Sequence, residues 1–483
     1  NVFIAQKFQS RVKTLHDALI IGAGPAGIFA GIRFLEAIEN GADISVLIVD
    51  RGPDVSQRYC PARETHNICT KCSFCALQTG WGGAGIFSDG KITLTPSVGG
   101  WLSEFLEETK VMNLLRQVDQ HFLKFGAPDV IYGTNLEAFD SWSKKAALAD
   151  LKLQRNTLRH LGTDLCKDIL KKMKDSLSKR IEIRLGTRVQ SINQEDGSVK
   201  GVSLSDGEEI KSRTVLVAPG RYGAAWLSSE ASRLGLGLTR NPVDLGLRVE
   251  LPSEIMAPLT DDLYEPKLKY ISKTFDDVVR TFCVNPGGEV ITEYYDDVVT
   301  VNGHSLRDGS SPSTNFAVLV SSFFTEPFKD PISYGKYIAR LANIISDGII
   351  VQRMWDLLEG RRSTAQRIAK SITIPTLQDA TPGDLSFVMP HRMMTDIIEM
   401  LKALDKLAPG VMSQHTLLYG IEAKFYSSRV QTDQNLQTSV KNLFVAGDGA
   451  GITRGLSQSA ASGLYAAENM LRSMGVKEIS QLA

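Results

Sequence analysis

Four of the chain's six cysteines fall in one stretch, "CPARETHNICTKCSFCALQTGWGGAGIFSDGK" (residues 60–91), which also holds Gly80, Gly82, Gly83 and Gly85. Cys69, Cys72 and Cys75 make C-x2-C-x2-C, and Cys60, followed by Pro61, lies nine positions upstream. Bacterial ferredoxin ligands run C-x2-C-x2-C with a remote cysteine before a proline. Here the cysteine–proline element comes first, but a cluster reads space rather than chain order. The spacing suits a [4Fe–4S] cluster on Cys60, Cys69, Cys72 and Cys75. The same thiolates could hold Zn2+ tetrahedrally, with His66 able to replace one of them. Free thiols packed in a loop, or a local disulfide, are the third reading. Cys166 and Cys283 stand alone and read as packed thiols.

A second constellation lies upstream. Gly22, Gly24 and Gly27 form G-x-G-x-x-G between the apolar run "DALIIGAG" and the helical pattern "PAGIFAGIRFLEAIEN". Gly22 permits the tight turn, Gly24 lets backbone approach a pyrophosphate, and Gly27 lets helix and strand pack closely. The first helical turn, Pro25 and Ala26, then offers its free N–H groups and dipole to the anion. Asp50, with Arg51 after it, ends the next apolar run "ISVLIVD" and is placed for a ribose hydroxyl. It lies further on than the roughly 20 residues usual for this acid. Its charge would repel a 2′-phosphate.

The C-terminal segment repeats the strand–glycine–helix pattern. "LFVAGDGAG" places Gly447 and Asp448 just past an apolar run, and "TRGLSQSA" opens a helix with Gly455, Leu456, Ser457 and Gln458. An aspartate there can hold a ribitol hydroxyl, although capping explains Ser457 equally well. "TVLVAPGR" ends a third run at Ala218, Pro219 and Gly220. These segments resemble those of the two-dinucleotide-binding-domain flavoproteins, the glutathione-reductase-like superfamily. The stretches "GWGGAGIFSDGK", "LGLRVE", "EPF", "GRRST", "PGDLS" and "FVAGDGAGITRGLSQSA" more closely resemble a family of uncharacterised FAD-dependent dehydrogenase-like proteins. The resemblance spans nearly the whole chain. It implies FAD as cofactor, its pyrophosphate on the first glycine motif, its ribitol on Asp448, and its adenine against the backbone of Val189.

A second G-x-G-x-x-G after a strand is absent, as is the C-x4-C pair of the disulfide reductases. The resemblance therefore points to a single nucleotide domain. Electrons would come from a small-molecule substrate, a carrier such as a ferredoxin, or NAD(P)H bound transiently. A cluster beside the flavin loop would relay them singly. The expected chemistry is hydride transfer at flavin N5. A flavin monooxygenase with a structural zinc loop and a non-catalytic FAD-binding redox sensor are the alternatives.

Within the glycine loop, Gly82 and Gly83 allow close backbone approach, and Ser88, Asp89 and Lys91 could meet the flavin. A cation near N1 would stabilise reduced flavin, and a solvated strand lysine is an equal reading of Lys91. Arg361 and Arg362 of "EGRRST" could clamp a carboxylate or form a surface ion pair. His391, His304 and His415 are acid–base candidates, each as readily structural.

These residues need elements to position them. The chain has 483 residues, too many for one core. Hydrophobic content is 43% and Lys+Arg equals Asp+Glu at 54, so a nucleic-acid surface with its basic excess is not expected. No apolar run reaches the roughly 18 residues of a membrane span. Sparse cysteine points to a reducing, cytoplasmic compartment. "NVFIAQKFQSRVKTLHD" is too polar for a secretory signal, and a processed organellar form stays open. The expected fold is α/β: a Rossmann-like FAD-binding domain, a parallel sheet with a β-meander, plus an inserted mixed α+β substrate domain. The FAD domain takes residues 15–100, 181–240 and 416–483. A helical insertion takes 101–180 and the substrate domain 241–415.

Overall fold

The fold is a computed structural model that describes residues 15–61, 72, 74–87, 90–295, 297–304, 311–322, 324 and 330–476. Ala18–Ile21 are apolar without alternation, as a strand covered on both faces requires. The strand His16–Ile21 sits centrally, parallel to Val46–Val49 on one side and to Glu209–Val217 on the other. Glu182–Arg184 extends the sheet beyond Val46–Val49. The strand Glu209–Val217 changes partners midway. Its first residues pair antiparallel with Ser198–Leu204, which pairs in turn with Val189–Glu195. Its last three residues pair parallel with Leu443–Val445, more than 200 positions away. This is the expected parallel sheet with its β-meander, and "EDGS" and "SDGE" are the meander's turns.

The helices Pro25–Glu39 and Leu456–Ser473 pack side by side on this sheet. Their backbones nearly touch. A Cβ on Gly463 would lie 2.0 Å from the Ala26 carbonyl oxygen. The small-residue run "SQSAASG" is what this approach demands.

The middle of the chain builds an eight-stranded, largely antiparallel sheet. Its order is Thr381–Pro382, Ile350–Arg353, Leu417–Phe425, Val243–Pro252, Ser313–Ser322, Val278–Asn285, Lys267–Ile271 and Leu151–Gln154. The helix His391–Leu407 buries Met393, Ile397, Met400, Leu401 and Leu404 against one face. This core is separate from that of the first sheet. The segment 101–180 supplies the helices Glu108–Lys124, Leu136–Leu148 and Thr163–Leu177, but also two strands. One of them, Leu151–Gln154, forms the edge of the middle sheet, and Leu417–Phe425 lies inside it. The sheet thus draws residues from both sides of 241–415, because strand pairing between distant segments leaves no local mark. Among the described residues no helix is long and apolar enough to cross a membrane.

Asp396 lies fully buried on the helix His391–Leu407. Burial pushes its pKa up to about 6, and neighbouring Asp277 adds to the rise. The folded value exceeds the unfolded one of about 3.9. The contribution of Asp396 to stability is therefore fully present below about 4 and is lost as pH rises through 6. The substitution Asp396→Asn should raise Tm at pH 8 by about 2–4 °C for each 1 kcal/mol gained. At pH 4.5 scanning calorimetry should show the two proteins closely matched.

Candidate functional site

Four parallel strands end at one edge of the first sheet, and the loops beyond them converge. Gly22 N donates to Val49 O (2.8 Å), Ala218 N to Ile21 O (2.8 Å) and Ala446 N to Val217 O (3.1 Å). Gly22 has φ +106°, and a Cβ there would lie 2.1 Å from the Ala218 carbonyl oxygen. At Gly24, by contrast, the nearest atom to an added Cβ is Gly83 Cα at 3.8 Å. A side chain at Gly24 would enter open space, and that space is a cavity of about 1400 Å³ between the two sheets.

One wall of the cavity holds most of the expected nucleotide residues. Gly22, Gly24, Pro25, Ala26, Asp50 and Arg51 line it. So do Val189, Ala218, Pro219, Gly220, Gly447, Asp448, Gly455 and Leu456, contributed by distant segments. Asp50 also does work that the sequence did not announce. Its Oδ2 accepts from Ala23 N, and its Oδ1 accepts from Gly52 N and Gly80 N, each at 2.8 Å. It ties the glycine loop to the first βα turn. Gly83 lines the cavity beneath that loop, whereas Gly82 is spent on a bond from its N–H to Ala23 O (2.8 Å). Gly27 lies behind the wall, where a Cβ would lie 1.8 Å from Gly22 O.

Two first-turn residues of the C-terminal helix differ in role. The Ser457 hydroxyl is buried with no hydrogen-bond partner among the described residues. Gln458 is a strut. Its Nε2 donates to Pro96 O (2.7 Å) and Val98 O (3.0 Å), and its Oε1 accepts from Leu102 N (3.2 Å). Its donors are consumed by the 96–102 loop, and it does not reach the cavity. Asp448 does, and burial raises its pKa although Thr453 donates to it (2.5 Å).

Lys91 is not a solvated strand residue. Its Nζ donates to Asn285 Oδ1 (2.9 Å) and Val284 O (3.1 Å), with Glu265 at 3.9 Å, and it lines the cavity. Ser88 and Asp89 lie outside the described residues. Arg361 and His391 lie away from the cavity. Arg361 Nε donates to buried Asp356 (2.9 Å), which also accepts from Arg353 and Ser363. The motif "GRRST" therefore organises a carboxylate instead of clamping a ligand. His391 is exposed at the start of its helix, edge-on to Phe275. His304 lines the cavity, while His415 accepts a hydrogen bond from Ile372 N and does not.

Cys60, Cys72 and Cys75 also line the cavity. Cys69 and His66 lie outside the described residues. Among the described residues no three His, Cys, Asp or Glu side chains gather as a metal site, so these three cysteines do not converge as cluster ligands should. Cys283 was expected in packing but lies on the cavity wall, at a break in its strand's register.

The main support of the glycine loop is Arg58, which no pattern marked. Buried Arg58 donates from Nε to Ala76 O, from Nη2 to Leu77 O, and from Nη1 to Trp81 O and Gly83 O, all within 2.7–2.8 Å. Burial pushes its pKa down to about 10. A run of alternating charge links the opposite wall to a buried pair behind it and to the glycine side. Arg248 and Glu422 pair through two bonds of 2.7 Å with neither exposed. Lys424 bridges Glu422 (3.1 Å) and Glu293 (3.5 Å), and Arg221 reaches Glu293 at 3.8 Å. Burial would raise Glu293, but Lys424 and Arg221 hold it below its ordinary value.

The strands, the glycine edge and the cavity define a Rossmann-type fold with an inserted sheet domain. Residues 243–425 match the family described as FAD-dependent protein, C-terminal domain-like, and those bounds begin and end on strands of the middle sheet. Residues 376–478 match the family of glucose inhibited division protein A. Together these matches fall within residues 243–478, and the first, to a family described as FAD-dependent, supports FAD as the cofactor. An uncharacterized protein of Clostridium beijerinckii is 24% identical over 479 residues, 94% of this chain and 80% of that one. Among solved structures, L-proline dehydrogenase from P. horikoshii has a TM-score of 0.39 at 10% identity, covering 96% of this chain and 95% of that one. Glycine oxidase from Geobacillus kaustophilus has a TM-score of 0.37 at 12% identity, covering 96% of each chain. Both likenesses are too distant to bear on chemistry.

Replacing Arg58 by Met keeps the stem but strips four carbonyls of their donor. Each unpaired buried group costs about 1–3 kcal/mol, so urea unfolding should show a loss of several kcal/mol. Asp356 offers a second check. Burial would raise its pKa, yet its hydrogen bonds from Arg353, Ser363 and Arg361 hold it at about 2. The stability it confers is present above the unfolded value of about 3.9 and lost as pH falls through 2. Asp356→Asn should destabilise by about 3–5 kcal/mol at pH 7, and Arg361→Ala, at an exposed partner, by much less.

Proposed function

We propose that this chain is an FAD-dependent oxidoreductase acting on a small organic substrate held between its two sheets. The observation that carries the reading is the cavity itself. Its volume of about 1400 Å³ is bounded on one side by bare glycine backbone and on the other by a charged sheet face. FAD, when bound, supplies a two-electron acceptor or donor at N5. The chain's own residues fit that group. Gly24 leaves open space beside an uncapped helix N-terminus, where the dipole and free N–H groups favour a pyrophosphate. Asp50 and Asp448 would take the ribose and ribitol hydroxyls, and Val189 the adenine edge. Lys91, fixed by Asn285 and Val284, would hold its positive charge steady against the ring.

The substrate would meet the middle sheet, whose charged side chains can orient it and exchange protons. A reducible carrier such as a ferredoxin, or NAD(P)H bound transiently, would complete the cycle. An iron–sulfur relay is left out of this reading, because the described cysteines are not gathered.

The test separates binding from folding. Gly24→Val puts a side chain into open space at an ordinary φ of −81°, so circular dichroism should stay unchanged. FAD released from the wild type should approach one per chain, and the variant should lose most of it. Equal FAD in both, or none in the wild type, would sink the reading.

A further inference from the structure

A row of like charges crosses the middle sheet. Lys269 stands directly opposite Lys152 on one side and Arg280 on the other, across three adjacent strands. Like charges placed so are destabilising. Lys269 and Arg280 both line the cavity. Burial lowers the Lys269 pKa, and Arg280, Lys152 and Arg454 lower it further.

Compensation is incomplete. Asp244, fully buried, is the nearby carboxylate. It accepts from Arg280, from the Tyr426 hydroxyl (2.5 Å) and from Ser321 Oγ (2.7 Å). Arg454 stays 4.0 Å from it. The Arg454 guanidinium lies over Trp101 (3.6 Å to the ring centre) and beside Tyr426 (4.5 Å). Its Nε is buried without an acceptor among the described residues. Among those residues Lys269 has no carboxylate within ion-pair distance. Lys269 on the cavity wall is thus unneutralised, and Arg454, paired with the shared Asp244 only at 4.0 Å, is a stacked fork with an idle donor. An anion would relieve both.

We propose that Arg454, Arg280 and Lys269 form a carboxylate-binding subsite, so that the substrate is a small organic acid. A guanidinium held flat against an aromatic ring presents its donors in plane, which matches a carboxylate. Tyr426 and Phe282 on the cavity wall offer apolar surface to the organic remainder. Arg280 is already matched by Asp244, so the surplus suits one carboxylate. This inference rests on the oxidoreductase reading and names its substrate class.

Calorimetric titration of the FAD-loaded protein tests it with benzoate, benzamide and inorganic phosphate. Benzoate should bind about tenfold or more tightly than benzamide, as a charge-assisted hydrogen-bond pair implies. Arg454→Lys keeps the charge but loses the fork, and should weaken benzoate about tenfold with FAD content unchanged. Lys269→Met, which keeps an unbranched apolar stem, should weaken benzoate several-fold and leave benzamide alone. Equal binding of benzoate and benzamide, unchanged affinity in both variants, or no binding of benzoate overturns the subsite. Phosphate binding without benzoate also overturns the carboxylate assignment. Heat is read instead of flavin absorbance. A wild type that takes up no FAD therefore sinks the oxidoreductase reading, whereas FAD-loaded protein indifferent to benzoate sinks the subsite alone.

Discussion

The alignment of four parallel strand ends is the constraint on which the site depends. His16–Ile21, Val46–Val49, Glu209–Val217 and Leu443–Val445 are locked in register by backbone hydrogen bonds. Their following loops must therefore emerge together. Only glycine fits where these loops cross. A Cβ at Gly22 would strike Ala218, one at Gly449 would strike Gly220, and one at Gly463 would strike Ala26. The absence of side chains that lets the loops close up also leaves backbone facing the cavity. Packing and ligand access are here the same property of the same residues.

Burial of charge is the second theme. On the wall opposite the glycine edge Lys424 and Glu293 are linked to the buried Arg248–Glu422 pair behind them and to Arg221 on the glycine side. Taking such groups out of water costs more than an isolated pair returns, and losing one partner strands the other. A sheet face used only for packing would have been apolar, as the opposite face is against the helix His391–Leu407. Here the polar face is turned to a cavity, where fixed charges can act on something bound. Asp356 uses the same physics for a purely structural purpose, gathering Arg353, Arg361 and Ser363 into one turn.

Much of the fold was legible because its signals are local. A βαβ unit shows itself by an apolar run, a glycine turn and a 3.6-residue period within some 35 positions. The meander shows itself by two short polar turns between alternating strands. The nucleotide wall followed, since each of its glycines and acids sits at the end of such a run. The errors were of another kind. Arg361 and Gln458 carry the right chemistry at suggestive places, but neighbours distant in sequence consume their donors. The cysteine spacing suited a cluster, yet three of the four side chains are not brought together.

By itself, then, the sequence determined the strands, the glycine turns and the acids that follow them. Those features depend on backbone conformation and on spacing along the chain. Tertiary structure alone decided what faces what. Arg58 reaches four carbonyls from the far side of the cysteine stretch, Leu151–Gln154 leaves its own segment to edge the middle sheet, and Lys269, Arg280 and Arg454 meet around Asp244 from separate elements. Charge acts through space with no period along the chain. The groups that would select a ligand could therefore be recognised only once the sheets had placed them side by side.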